Sequence, residues 1–256
     1  MKFSQYIHLI ENQAQKMDSM SAKQTIYTNC SDAVKSNLNM FRGMPSGFKY
    51  LHGSARFDIL RRSANTSNYT TLIIDNDPAW MEYPKRSKSY ICTTSQNTAD
   101  AYGSIYKVYP YNGANIGICG STDLWFSFKK LHGTDVAHIN RLNSTLAAAI
   151  FYITGDKGVD TSYLTLKAAC DKVDEYLVNN NYDYKAIYKT LPNMHDQALD
   201  LLLMLTQNHT PILKGLQMLL NPTDNGFKHI FLTSKTQLPH DVEVWTDSPC
   251  IFELIS

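Results

Sequence analysis

The sequence predicts an α+β fold in which one β-sheet is interrupted by a block of helices. Three observations carry this. Strand-like apolar runs occupy the first half of the chain, at 38–44, 89–94 and 105–109. From about residue 135 to 220 the apolar residues recur at helical spacing instead. Strand signals then return at 228–232, 242–246 and 251–255. Strands, then helices, then strands mark an α+β arrangement, with the late strands rejoining the sheet made by the early ones. A chain of 256 residues can bury a core of the size this needs.

Element by element, Phe3, Tyr6, Ile7 and Ile10 fall on one helical face. A short helix is expected over 31–36, with Ser31 as its N-cap. The strand at 38–44 is closed by Pro45-Ser46-Gly47. Residues 49–70 are polar and rich in Arg, Ser and Asn, and read as a surface loop or a short helix plus loop. A strand is expected at 71–74, ended by Asp75-Asn76-Asp77-Pro78. The strand at 89–94 leads into a short helix at 97–102 that stops at Gly103, and the strand at 105–109 stops at Pro110. Gly113, Gly117 and Gly120 read as loop glycines. Ser121-Thr122-Asp123 reads as a cap or turn. In the helical block, Leu166, Cys170, Val173 and Leu177 share one face, as do Ala198, Leu201, Leu202 and Leu205. The expected organisation is a helical segment at 1–36, an α+β core at 37–134 and 221–256, and a helical insertion at 135–220.

Composition narrows the function classes. The formal net charge is +1, which argues against a broad electrostatic footprint for nucleic acid or an anionic membrane. A local basic patch remains at Arg56, Arg61, Arg62, Lys85, Arg86 and Lys88. Five widely spaced cysteines without a C-x-x-C indicate neither a zinc ribbon nor a disulfide framework, and suit a reducing compartment. No apolar run of signal-peptide length precedes Glu11, and none approaches the ~20 residues of a membrane span. The expectation is therefore a protein of a reducing compartment, with no secretion signal of its own and no membrane partner. Scattered histidines, with no H-E-x-x-H, give no reason to expect a metal. Neither a P-loop nor a G-x-S-x-G elbow occurs.

Three motifs place polar residues where a buried strand would not choose them. In Met40-Phe41-Arg42-Gly43, the arginine can fork two hydrogen bonds onto a phosphate or ribose, and the glycine lets a flat ring approach the backbone. Its plain structural alternative is an edge-strand arginine paired to a carboxylate beside a turn glycine. In Tyr90-Ile91-Cys92-Thr93-Thr94-Ser95, hydroxyls at a strand end can orient a carboxylate and contact a ribose, or simply cap the following helix. In Asp241-Val242-Glu243-Val244-Trp245, alternation puts Asp241 and Glu243 on one strand face. A carboxylate there can stabilise an oxocarbenium-like centre. The alternative is the solvent-facing side of an amphipathic strand.

Taken in order, these motifs resemble the Arg, Ser-Thr-Ser, Glu signature of the arginine-type mono-ADP-ribosyltransferases. The wider pattern is similar to ADP-ribosyltransferase-like proteins of tailed bacteriophages. It includes Pro84-x-Arg86-Ser87 and Ala101-Tyr102-Gly103-x-x-Tyr106-x-Val108-x-Pro110. The resemblance covers roughly residues 37–125 and 228–255 and leaves the helical block unmatched. It implies an ADP-ribosyltransferase-like split β-sheet core that uses NAD as substrate, without a metal. Arg42 would contact the NAD phosphates or nicotinamide ribose, and the Gly43 backbone would meet the nicotinamide amide. Thr93 would orient Glu243, with Thr94 and Ser95 completing that corner. Glu243 would stabilise the oxocarbenium as nicotinamide leaves. Asp241 stands where the family selects its acceptor. That acceptor would be a host protein, with nucleic acid as the alternative, and the resemblance implies a host cytoplasm, or packaging in the virion, as the location. Two residues depart from the pattern: Thr93 replaces a serine, and Asp241 replaces a glutamate or glutamine. The rival expectation is a non-catalytic phage protein, either a virion component or an inhibitor of a host enzyme, whose partner surface is the helical block.

Overall fold

The computed structural model describes residues 14–54, 67–129, 139–190 and 196–255. The helical face at Phe3 to Ile10 and the basic residues Arg56, Arg61 and Arg62 lie outside these. The described chain is a mixed α+β structure that divides into two compact units. One comprises 1–64, 81–127 and 226–256, and the other 65–80 and 128–225.

The first unit is built on an antiparallel sheet with nine strands among the described residues. They are β1 (Ala14–Lys16), β2 (Phe41–Met44), β3 (Tyr50–Gly53), β4 (Tyr90–Thr93), β5 (Ser104–Pro110), β6 (Asn115–Ile118), β7 (Lys228–Phe231), β8 (Glu243–Thr246) and β9 (Cys250–Leu254). The spatial order is β1-β3-β9-β5-β2-β4-β8-β6-β7. The late strands thus enter the sheet between early ones: β9 pairs with β3 and β5, and β8 with β4 and β6.

One face of this sheet carries the main core. Met40, Met44, Tyr90, Cys92, Tyr106, Val108 and Val244 are buried there together with Ala22, Cys30 and Ala33 from the helices Ser19–Asn29 and Ser31–Lys35. Asp18 caps the first helix, its carboxylate accepting from Met20 and Ser21 N–H at 3.0 and 2.9 Å. A hydrogen bond from the Ser21 side chain first, and then these backbone bonds, favours the charged form and holds its pKa below the usual aspartate value. The second helix starts at Ser31 as expected, but Cys30 takes the cap position. Residues 14–36 therefore belong with the sheet: β1 pairs with β3 over Ala14–Lys16.

The second unit is helical. The helices Ile139–Thr154, Tyr163–Asn179, Asp196–Leu205 and Ile212–Leu219 pack on one another. Leu166, Cys170, Val173 and Leu177 form the buried stripe of Tyr163–Asn179, which opens on a Ser162/Thr165 capping box. Ala198, Leu201, Leu202 and Leu205 are buried likewise.

Three local expectations give way. The run at 71–74 is not a strand but part of the helix Tyr69–Asn76. Every residue from Tyr69 to Ile74 is buried, and an apolar run buried on all sides carries no period that separates helix from strand. Residues 50–53, expected in a polar loop, form β3. Gly117 sits inside β6, where a β-carbon would run into the Trp245 indole. Only glycine lets these strands approach so closely.

Candidate functional site

The strands carrying the three motifs are consecutive neighbours, in the order β2, β4, β8. Phe41 stands opposite Thr93, and Thr93 opposite Glu243. Residues directly opposite in a sheet share a face, so these three form one row. The row is fixed by the end of β4. Thr94 N–H donates to the Val242 carbonyl at 3.0 Å, and Val242 N–H donates to Thr94 Oγ1 at 3.0 Å. On its other side Glu243 N–H donates to Ser121 O at 3.0 Å, and Cys119 N–H to Glu243 O at 2.9 Å. The backbone of Glu243 is therefore held between β4 and the end of β6.

The carboxylate of Glu243 is held unsymmetrically. Arg86 Nη2 donates to Oε1 at 2.5 Å, and the Cys119 thiol donates to the same oxygen at 3.7 Å. The pair is nearly dry, with side chains 5% exposed for Arg86 and 12% for Glu243. Oε2 has no hydrogen-bond partner among the described residues, yet is not a sealed buried atom. The remaining exposure of the carboxylate thus includes this oxygen. Burial first, then the charge of Glu243, raises the Cys119 pKa well above the ordinary thiol value, with Arg86 opposing. Cys119 is a neutral S–H donor here, not a nucleophile.

Arg86 is itself anchored. Its guanidinium lies over the Trp245 ring, 5.2 Å from the centroid. Trp245 is fully buried, stacks with Tyr83 and donates through Nε1 to Pro84 O at 2.9 Å. Arginine over an indole face is a favourable cation–π geometry.

Arg42 enters differently. It is one residue from Phe41, so its side chain leaves the strand towards the other face. Its register partner is Tyr106, in the main core. Its guanidinium turns into the space where β2 and β4 part after a single paired position, and Nη1 donates to Ile91 O at 2.5 Å. Nε is buried and has no partner among the described residues. Arg42 and Glu243 both act on the buried Cys92 thiol, which burial pushes up to about 12, the arginine lowering and the glutamate raising it. The structure thus sets Thr93 beside Glu243 and puts Arg42 on the neighbouring strand, reaching the same strand junction from the core side.

The remaining motif residues have local duties. Thr93 Oγ1 accepts from Ser95 N–H at 3.1 Å; the side-chain grip on Glu243 comes from Arg86, not from Thr93. Ser95 caps the helix Gln96–Asp100, accepting from Thr98 N–H at 3.4 Å. Gly43 lies under that helix, where a β-carbon would collide with the Ala99 carbonyl. Its missing side chain thus serves helix packing. Asp241 is not in the strand. It adopts a positive φ of 55° in the bend before β8, is exposed, and accepts from Thr98 Oγ1 at 3.5 Å. Aspartate tolerates this left-handed backbone better than most residues, and the bend breaks the alternation that would align it with Glu243.

Sequence reasoning placed Arg86 in a basic patch and in the wider pattern Pro84-x-Arg86-Ser87 but gave it no role, and it did not name Cys119 as a site residue. Arg86 lies in Pro84-Lys85-Arg86-Ser87-Lys88, a run that reads as a solvated basic surface. Nothing in its spacing announces a partner 157 residues away. Among the described residues no group of His, Cys, Asp and Glu could hold a metal ion, and no helix is long and apolar enough to cross a membrane. Compared with known proteins, the chain matches no family model, no curated protein and no solved structure.

Proposed function

We propose that the chain cleaves NAD at its nicotinamide–ribose bond and transfers ADP-ribose to an acceptor macromolecule. The observation that carries this reading is the bonding of Glu243: one carboxylate oxygen is tied down and the other is left open, with Thr93 opposite it on β4. A carboxylate fixed in this way is preorganised to face a positive charge that develops in front of it. In the reaction, the C1′–N bond breaks and its electron pair leaves with neutral nicotinamide. The ribose becomes an oxocarbenium ion opposite Glu243 Oε2. An acceptor nucleophile then forms the new bond at C1′ and gives up its proton. The resemblance gives Arg42 the diphosphate or the nicotinamide ribose, which its guanidinium would meet only by turning out of its bond to Ile91 O on the core side, and it gives Thr93, Thr94 and Ser95 the hydroxyl corner. The resemblance to bacteriophage proteins points to a host protein as acceptor, within a host cytoplasm.

Glu243→Gln tests the proposal. The amide keeps the size of the carboxylate and removes its charge. Nicotinamide release from NAD, followed by chromatography, should fall by 10²–10³-fold or more, on the order seen when a preorganised electrostatic group is removed. An unchanged melting temperature would show that the variant stays folded. Equal turnover by wild type and variant would remove Glu243 from the chemistry.

One observation favours a second reading. The Arg86–Glu243 pair is short and almost dry, as in a purely structural ion pair. A non-catalytic phage binding or virion protein would then use these residues only to join β8 to the segment before β4. Nicotinamide release by the wild-type protein would exclude that reading. No release, together with no thermal shift on adding NAD, would favour it.

A further inference from the structure

The backbone that carries Arg86 is held without help from Glu243. The segment 84–89 is stitched to β8 and to the turn after it by bonds that bypass both charges. Lys85 N–H donates to the Asp247 carboxylate at 3.0 Å. The Ser89 hydroxyl donates to Lys85 O at 2.7 Å, and the Trp245 indole N–H reaches Pro84 O. The Trp245 ring fixes the plane in front of which the guanidinium lies. The backbone that carries Arg86 is thus preset and its guanidinium is backed by the indole, while the Glu243 carboxylate takes its side-chain hydrogen bonds from Arg86 and Cys119.

We infer that Arg86 is the positioning residue of Glu243: it holds Oε1, with the Cys119 thiol as minor partner, and so presents Oε2 to a cation forming in front of it. This rests on the proposed NAD chemistry for its catalytic meaning. It assigns to an arginine outside the three motifs the orienting task that the resemblance gives to Thr93. Arg86 acts through Glu243 and touches no substrate. Loss of the grip therefore lowers the rate of bond cleavage and leaves NAD binding unchanged.

Arg86→Met and Arg86→Lys test the inference. Methionine keeps apolar contact with Trp245 and removes the charge. Lysine restores a cation without the planar fork. The expected result for Arg86→Met is a fall in kcat of about 100-fold, the scale of a misplaced catalytic group, with KM for NAD unchanged. Arg86→Lys should recover part of kcat. A crystal structure of Arg86→Met should show Glu243 turned out of its wild-type rotamer. If the methionine variant does not fold, the lysine variant carries the same kcat and rotamer measurements. A rise in KM with kcat retained would overturn the inference by making Arg86 a substrate-binding residue. So would variant crystals with Glu243 unmoved. An inactive wild-type protein would overturn the reaction reading alone, and the position of Glu243 in the variant crystals would still decide what Arg86 does.

Discussion

Thr94→Val probes the joint on which the site depends. Thr94 Oγ1 is the acceptor for Val242 N–H at 3.0 Å, and both residues are buried, 5% and 8% exposed. Valine fills nearly the same volume but has no oxygen. The Val242 carbonyl keeps its bond from Thr94 N–H, so one buried donor alone is stranded. A buried amide left without a partner costs about 1–3 kcal/mol. For a protein of this size each kcal/mol shifts the melting temperature by about 2–4 °C, giving a fall of roughly 2–12 °C. Differential scanning calorimetry reads it directly. Thr94→Ser retains the oxygen and should recover most of the loss. Thr98→Val removes only the 3.5 Å contact to Asp241 and should change little. Glu243 follows Val242 directly, so nicotinamide release should fall with Thr94→Val as well. A melting temperature equal to that of the wild type would mean that Thr94 does not close the β4–β8 junction, and the placement of Thr93 against Glu243 would lose its support.

Other outcomes follow from the same packing. Gly117→Ala drives a methyl group into the Trp245 indole, which supports Arg86, and overpacking of this kind costs about 1–3 kcal/mol. Chemical denaturation should register that loss, and Arg86-dependent turnover should drop with it; wild-type stability would show that the strands can part without cost. All five cysteines are buried and form no disulfide. Burial holds Cys30, Cys92 and Cys170 at about 12 against an ordinary value of 9.0. A thiol with a raised folded pKa contributes its full stability below 9 and loses it as pH climbs towards 12. Melting temperature should therefore decline across that alkaline window, and iodoacetamide at pH 8 should modify the native protein far more slowly than the unfolded one. Rapid alkylation of the native thiols would contradict their burial.

The strands that proved legible in the sequence are those whose apolar and β-branched or aromatic residues cluster in one short run: β2, β4, β5, β7, β8 and β9. The others lacked that signal for identifiable reasons. β1 is three residues, two of them exposed. β6 is interrupted by Gly117, which reads as a loop residue because the Trp245 ring that demands it lies 128 positions along the chain. The helix Tyr69–Asn76 begins Tyr-Thr-Thr-Leu-Ile-Ile, a composition that favours a strand in isolation, and burial on all sides overrode it. In the site, Thr93 and Glu243 were legible because each closes or opens a clear strand. Asp241 was misplaced because alternation takes no account of a left-handed bend. Arg86 was hidden for a different reason: its environment is set by tertiary packing, and a basic run looks the same whether it is solvated or folded under an indole.

The order of strands also bears on how the molecule is made. A ribosome that has released residues up to 225 has delivered β1 to β6 and the helical unit, but neither β8 nor β9. Those two are the wedges between β4 and β6 and between β3 and β5. Until they emerge, four strand edges stand open and the partners of the carboxylate, Arg86 and Cys119, wait for Glu243. The nascent chain is therefore prone to mispairing until then, and loss of residues 227–256 would divide the sheet into separate pieces rather than trim an edge.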